Sequence, residues 1–100
     1  MNDKYLNFLG LCRKAGNLIA GTEKCKSLIK KNGAYLIILA NDISPKTEKE
    51  FVFLSKGEFE VIRTPYSFED ISSALGVRAG VYAVTDKNFA SEIILKGGNF

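Results

Sequence analysis

The chain contains no histidine, which removes the commonest general base and the commonest neutral metal ligand. Its two cysteines, Cys12 and Cys25, lack metal-ligand spacing and fall on apolar helical positions. They read as buried packing residues of a reduced chain, so a cytoplasmic location is expected. There is no serine elbow, phosphate-binding Walker loop or dinucleotide fingerprint, so neither nucleophilic nor metal catalysis has support and no cofactor is expected. No apolar run approaches the length of a membrane span, and Met1-Asn2-Asp3-Lys4 leads into mixed sequence rather than a secretory leader. The tyrosines and phenylalanines are scattered, without the paired aromatics of a base-stacking sheet. Repeats, linkers and low-complexity segments are also lacking.

What is present suits one globular domain over residues 1–100, with 46% apolar and 25% charged residues. The net charge of +3 is unevenly spread. Residues 1–31 hold seven basic and two acidic side chains, a net of +5, whereas the remainder holds seven and nine, a net of −2. A positive face on a near-neutral body suits oriented encounter with a polyanion; a solvated lysine-rich helix face is the plainer reading.

Periodicity predicts alternating helices and strands. Residues 3–14 form a helix with Leu6, Leu9 and Cys12 inward and Phe8 and Leu11 widening the face. Leu18-Ile19-Ala20 is a short strand, and Thr22 to Lys31 a second helix that Asn32-Gly33 ends. The apolar run from Tyr35 to Ala40 is a central strand buried on both faces. Ser44 caps a third helix with Pro45 at its first position, and Gly57 closes it. Phe59 to Thr64 is a strand, Ser67 caps a fourth helix, Val81 to Val84 is a strand, and Asp86 caps a last helix before a tail at residues 97–100. The pattern implies an α/β fold, a three-layer α-β-α sandwich: one mixed sheet of about four strands with helices on both faces.

Gly21-Thr22-Glu23-Lys24 is the most informative stretch. Thr22 is a good N-cap, Gly21 leaves room for a ligand, and the helix start is a natural anion site among Lys14, Lys24, Lys26, Lys30 and Lys31. Asp42 and Asp86 each follow an apolar strand, where open α/β sheets bind ligands. They could anchor a small ligand or an enzyme site. The simpler reading makes Asp42 part of the loop before Ser44 and Asp86 a helix cap.

These motifs together resemble the kink-turn RNA-binding ribosomal protein family, typified by L-seven-Ae and L-thirty-e, and look most like its small bacterial stand-alone members. The resemblance spans nearly the whole chain. It rests on Arg13-Lys14-Ala15-Gly16, Gly21-Thr22, Tyr35 to Pro45 with its Ala40-x-Asp42-x-x-Pro45 pattern, and Val81 to Asp86. It implies a non-catalytic protein that binds structured RNA, a kink-turn or similar element of the ribosome or another ribonucleoprotein, as a monomer and without DNA or membrane partners. By position it assigns RNA contact to Gly21, Thr22, Glu23 and Lys24, to Asn41 and Asp42, to Ile71, and to Val77, Arg78 and Ala79, with Arg13, Lys14, Lys26 and Lys30 holding phosphates. Glu23 stands where many members have asparagine, Lys24 where they have glutamate or glutamine, and Ser27 where lysine is usual. A carboxylate at Glu23 can accept from a guanine amino group, and Lys24 can donate to guanine O6 or N7. The alternative is a same-fold domain that binds a protein partner or small ligand without kink-turn specificity.

Overall fold

The computed structural model describes residues 3–97. Helix α1 (Lys4–Lys14) starts at Asp3, whose carboxylate accepts the amides of Tyr5 and Leu6. Strand β1 (Leu18–Ala20) leads into α2 (Thr22–Lys30), then β2 (Leu36–Leu39) into α3 (Pro45–Ser55). β3 (Glu60–Arg63), α4 (Phe68–Leu75), β4 (Val81–Val84) and α5 (Lys87–Gly97) follow. The expected end of the chain beyond Gly97 lies outside the described residues.

The strand order is β1-β4-β2-β3. β2 pairs with β3 in parallel, whereas β4 lies antiparallel to both β1 and β2. The mixed four-stranded sheet and the helices on both faces are as the sequence pattern predicts. All four residues of β2 and all four of β4 are buried, which explains why both read as unbroken apolar runs. Their side chains alternate between two cores. Leu36, Ile38, Tyr82 and Val84 meet α1, α4 and α5. Ile37, Leu39, Val81 and Ala83 meet Cys25 of α2 and Phe51 of α3.

The caps follow local chemistry. Ser44 and Ser67 accept amides of Thr47 and Asp70, and Asp86 accepts the amide of Phe89. At the end of α2, Gly33 N–H reaches Leu28 O and Asn32 N–H reaches Ile29 O, so Asn32 (φ 58°) takes the left-handed position of a Schellman turn. Lys56 (φ 52°) takes the corresponding position after α3, ahead of the glycine expected to close that helix. Leu11 departs from expectation, at 59% exposed. At about 100° per residue it falls on the far side of α1 from Leu9, whereas Phe8 lies at the margin of the buried face and packs edge-on against Phe89.

Candidate nucleic-acid interface

Strand direction decides which loops meet. β1, β2 and β3 run one way and β4 the other, with Ala20 opposite Tyr82, and Leu39 opposite both Val81 and Arg63. The start of α2, the Ala40–Ser44 loop, the Thr64–Ser67 loop and the Val77–Gly80 loop therefore gather at one end of the sheet. Backbone bonds tie them together. Gly21 N–H donates to Val81 O (2.9 Å), Ala40 N–H to Gly80 O (2.9 Å) and Asn41 N–H to Tyr66 O (2.8 Å).

Most of this end is closed by side chains. Asp42 Oδ1 accepts the amide of Phe68 (2.8 Å), and Asn41 Nδ2 donates to Pro65 O (2.8 Å). Arg63 donates to the carbonyls of Asn41 and Ile43 and pairs with Glu48 at 2.7 Å. The buried Ser72 hydroxyl bonds both the N–H and the C=O of Ala79, at 3.1 Å each, and the Tyr82 hydroxyl donates to the same carbonyl at 2.8 Å. A Cβ at Gly80 would lie 2.7 Å from Ile43 Cδ1 and 3.1 Å from Phe68 Cδ2, so glycine lets the two loops approach.

The start of α2 is different. The N-cap is Gly21 (φ 113°, ψ 141°), not Thr22, and no side chain caps the helix. This corrects the expected role of Thr22, which is the first helical residue and so contributes an amide in need of an acceptor. Gly21 occupies a backbone region that residues with a Cβ rarely adopt, and that conformation excludes the usual capping residues. Its own N–H is spent on Val81, and Cys25 N–H takes Gly21 O. The amides of Thr22, Glu23 and Lys24 have no acceptor within the helix. Nothing lies within 4 Å of where a Cβ on Gly21 would sit, so the approach is open.

The other expected contact residues divide. Glu23 and Lys24 are exposed beside these amides. Arg78 is exposed, forked on Glu69 (2.9 and 3.3 Å) and laid over the Phe68 ring (5.2 Å). Hydrogen bonding to Arg78 holds the Glu69 carboxyl below its ordinary range. Such an exposed pair is weak, so the guanidinium remains exchangeable for a phosphate. Lys26 is drawn sideways to Glu50 of α3 at 3.0 Å, with Glu23 at 3.9 Å. Lys30 sits in the last turn, about 12 Å along the axis from Thr22. There it lines a cleft of about 660 Å³ at the other end of the sheet. Arg13 and Lys14 precede β1 and so start from that far end as well. Arg13 nevertheless lies near enough to the Tyr82 hydroxyl for its charge to act there; burial raises that hydroxyl's pKa, while Ser72 and Arg13 oppose the rise. Ile71 is 0% exposed, which corrects its expected direct contact: its side chain packs the core under the loop. Ala79 is buried too, and its backbone is held by Ser72. Ser72 and Arg63 are supports that sequence reasoning passed over. Ser72 lies inside α4 next to Ile71 and Arg63 inside a strand, and neither carries a local sequence signal of its role.

Asp42 and Asp86 do not form a pair. They follow strands that run in opposite directions, so they stand at opposite ends of the sheet, each accepting a helix amide. That separation removes both the two-carboxylate site and the two-anchor ligand site.

Comparison with known proteins agrees with this architecture. Residues 3–94 match the model of the ribosomal protein L7Ae/L30e/S12e/Gadd45 family. The chain belongs to that family. A relative is the RNA-binding protein YlxQ of Enterococcus faecium, 29% identical over an aligned length of 93 residues, with 89% of this chain and 86% of that protein covered. A protein with unknown function from Bacillus halodurans superposes with a TM-score of 0.85 at 23% identity, over 92% of this chain and 94% of that one. The Giardia lamblia 15.5kD RNA binding protein superposes with a TM-score of 0.77 at 16% identity, over 99% and 92%. The fold is therefore shared across low sequence identity. No helix among the described residues is long and apolar enough to cross a membrane.

Proposed function

We propose that this chain is a non-catalytic RNA-binding protein that recognises a kink-turn or similarly bent RNA through the end of the sheet where α2 begins. Membership of the family and the RNA-binding names of two similar proteins support an RNA partner. The observation that carries the site is the bare start of α2. Three open amides and the positive end of the helix dipole face solvent, with room above Gly21. Lys24 supplies a phosphate or guanine donor, and Glu23 an acceptor for a guanine amino group. The Val77–Arg78–Ala79 loop, held rigid by Ser72, offers Arg78 to the backbone on the flank.

The test is titration of the protein with a kink-turn RNA and with an unkinked duplex of equal length, at two salt concentrations. Preference for the kinked RNA is expected. Lys24→Ala should weaken that binding and lower the slope of log affinity against log salt by about 0.7–0.9, the value of one phosphate contact. Equal binding to both RNAs would reduce the site to a general basic surface. Lack of binding to either would overturn the reading.

A further inference from the structure

On α3, Lys46, Lys49 and Phe53 recur at helical spacing and fall along one exposed stripe, and the exposed Lys56 follows just past the helix end. Phe53 is 79% exposed and its neighbour Val52 53%. The other large apolar residues of the helix, Phe51 and Leu54, are turned inward or half-buried. The acids of α3 are drawn off the stripe. Glu48 is held by Arg63 of β3 at 2.7 Å, and Glu50 by Lys26 of α2 at 3.0 Å. Among the described residues, Lys46, Lys49 and Lys56 have no acidic oxygen within 4.0 Å. Neighbouring elements thus neutralise the acids of this helix and leave three lysines uncompensated around a bare aromatic ring.

We infer that this stripe is a second nucleic-acid contact, which takes single-stranded RNA by stacking a base on Phe53 and holding the flanking phosphates with Lys46, Lys49 and Lys56. A ring between lysines is the combination that binds single strands without sequence preference. Lys46 to Phe53 spans about 10 Å of helix. That length matches about three stacked nucleotides at 3.4 Å each. The apolar part, Phe53 and Val52, is too narrow for a helix lying in a membrane surface, which needs a broad apolar face. The stripe begins one residue after Pro45, beside the end of the sheet where α2 starts, and runs away from it. A strand leaving that end has α3 as its path. The inference does not depend on kink recognition, because none of its residues belongs to the α2 terminus.

The experiment measures fluorescence anisotropy of a labelled short oligouridylate with the full chain, across a salt series. Phe53→Ala should weaken binding by roughly five- to 150-fold, the range for losing one stacked base. Phe53→Tyr should restore it. The double variant Lys46→Gln, Lys49→Gln should lower the salt slope by about 1.4. Gly21→Ala and Lys24→Ala should leave oligouridylate binding unchanged, which separates this contact from the proposed kink site. All the altered stripe side chains are exposed, so melting temperature should hold. Failure of the wild type to bind oligouridylate, or Phe53→Ala binding as wild type does, overturns the inference. So does affinity for phosphatidylserine vesicles in place of RNA.

Discussion

Two helices begin at the same end of the sheet and are finished in opposite ways. At α4, Ser67 accepts the amide of Asp70 and Asp42 accepts that of Phe68, so two of the three free donors are consumed. At α2, Gly21 offers no side chain, and three amides stay open. The start of α4 is built as a support, and the start of α2 is the proposed docking point. α1, α3 and α5 side with α4, each opening on an aspartate or serine cap. A donor-rich surface is thus left at one terminus among the five described helices, by a backbone conformation that excludes capping residues.

Breaking the frame that holds both termini has the largest expected effect. Ile38 is fully buried in β2, and Ile38→Ala should lose about 2–5 kcal/mol in urea unfolding. A loss under about 0.5 kcal/mol, the size of a surface change, would mean that the central strand is misassigned. Gly21→Ala attacks the open terminus itself. A Cβ there meets nothing, so the penalty comes from φ 113° alone, about 1–3 kcal/mol, together with weaker RNA binding. An unchanged melting curve would show that the backbone can do without glycine. Ser67→Ala attacks the closed terminus and should lose about 1 kcal/mol while leaving RNA affinity nearly unchanged. If the two variants reduced RNA affinity equally, the contrast between the termini would have no functional meaning.

The smallest effect at neutral pH concerns the thiols. Burial pushes Cys25 up to about 12, and burial, with Asp86 adding, pushes Cys12 up to about 11, from 9.0. A pKa raised on folding stabilises fully below the unfolded value and loses that contribution as pH rises through the folded one. Stability should therefore hold below pH 9 and fall above it, by at most about 1.4 kcal/mol per thiol and pH unit. Urea titrations on either side of pH 9 check the direction. Native protein at pH 8 should also resist thiol reagents until it unfolds.

Much of the fold could be read from local chemistry. Ser44-Pro45, Ser67 and Asp86 announced their helices because capping is a matter of three or four residues. β2 announced itself because burial on both faces leaves no polar position. Direction was less legible. Nothing near Asp42 or Asp86 says that β4 runs against β2, yet that choice alone sends the two carboxylates to opposite ends. The start of α2 at Gly21-Thr22 was legible as a helix terminus, but its cap was misassigned, since threonine is the better capping residue by type and only the positive φ of Gly21 displaces it. Lys26 and Glu50 lie far apart in the chain, so their pairing had no local signal. Ile71 was assigned by position in a motif, and burial is not visible there.

The bond from Gly21 N–H to Val81 O joins residues separated by most of the chain. During synthesis, α1, β1 and α2 are made long before β4, and among the described residues β1 has no strand partner other than β4. The start of α2 therefore acquires its position only when the fourth strand enters the sheet between β1 and β2. Such distant pairings close late, because the entropy of bringing the ends together comes first. The open amides are thus presented to a partner by the completed sheet and not by the nascent chain, which makes assembly of the fold a precondition for docking.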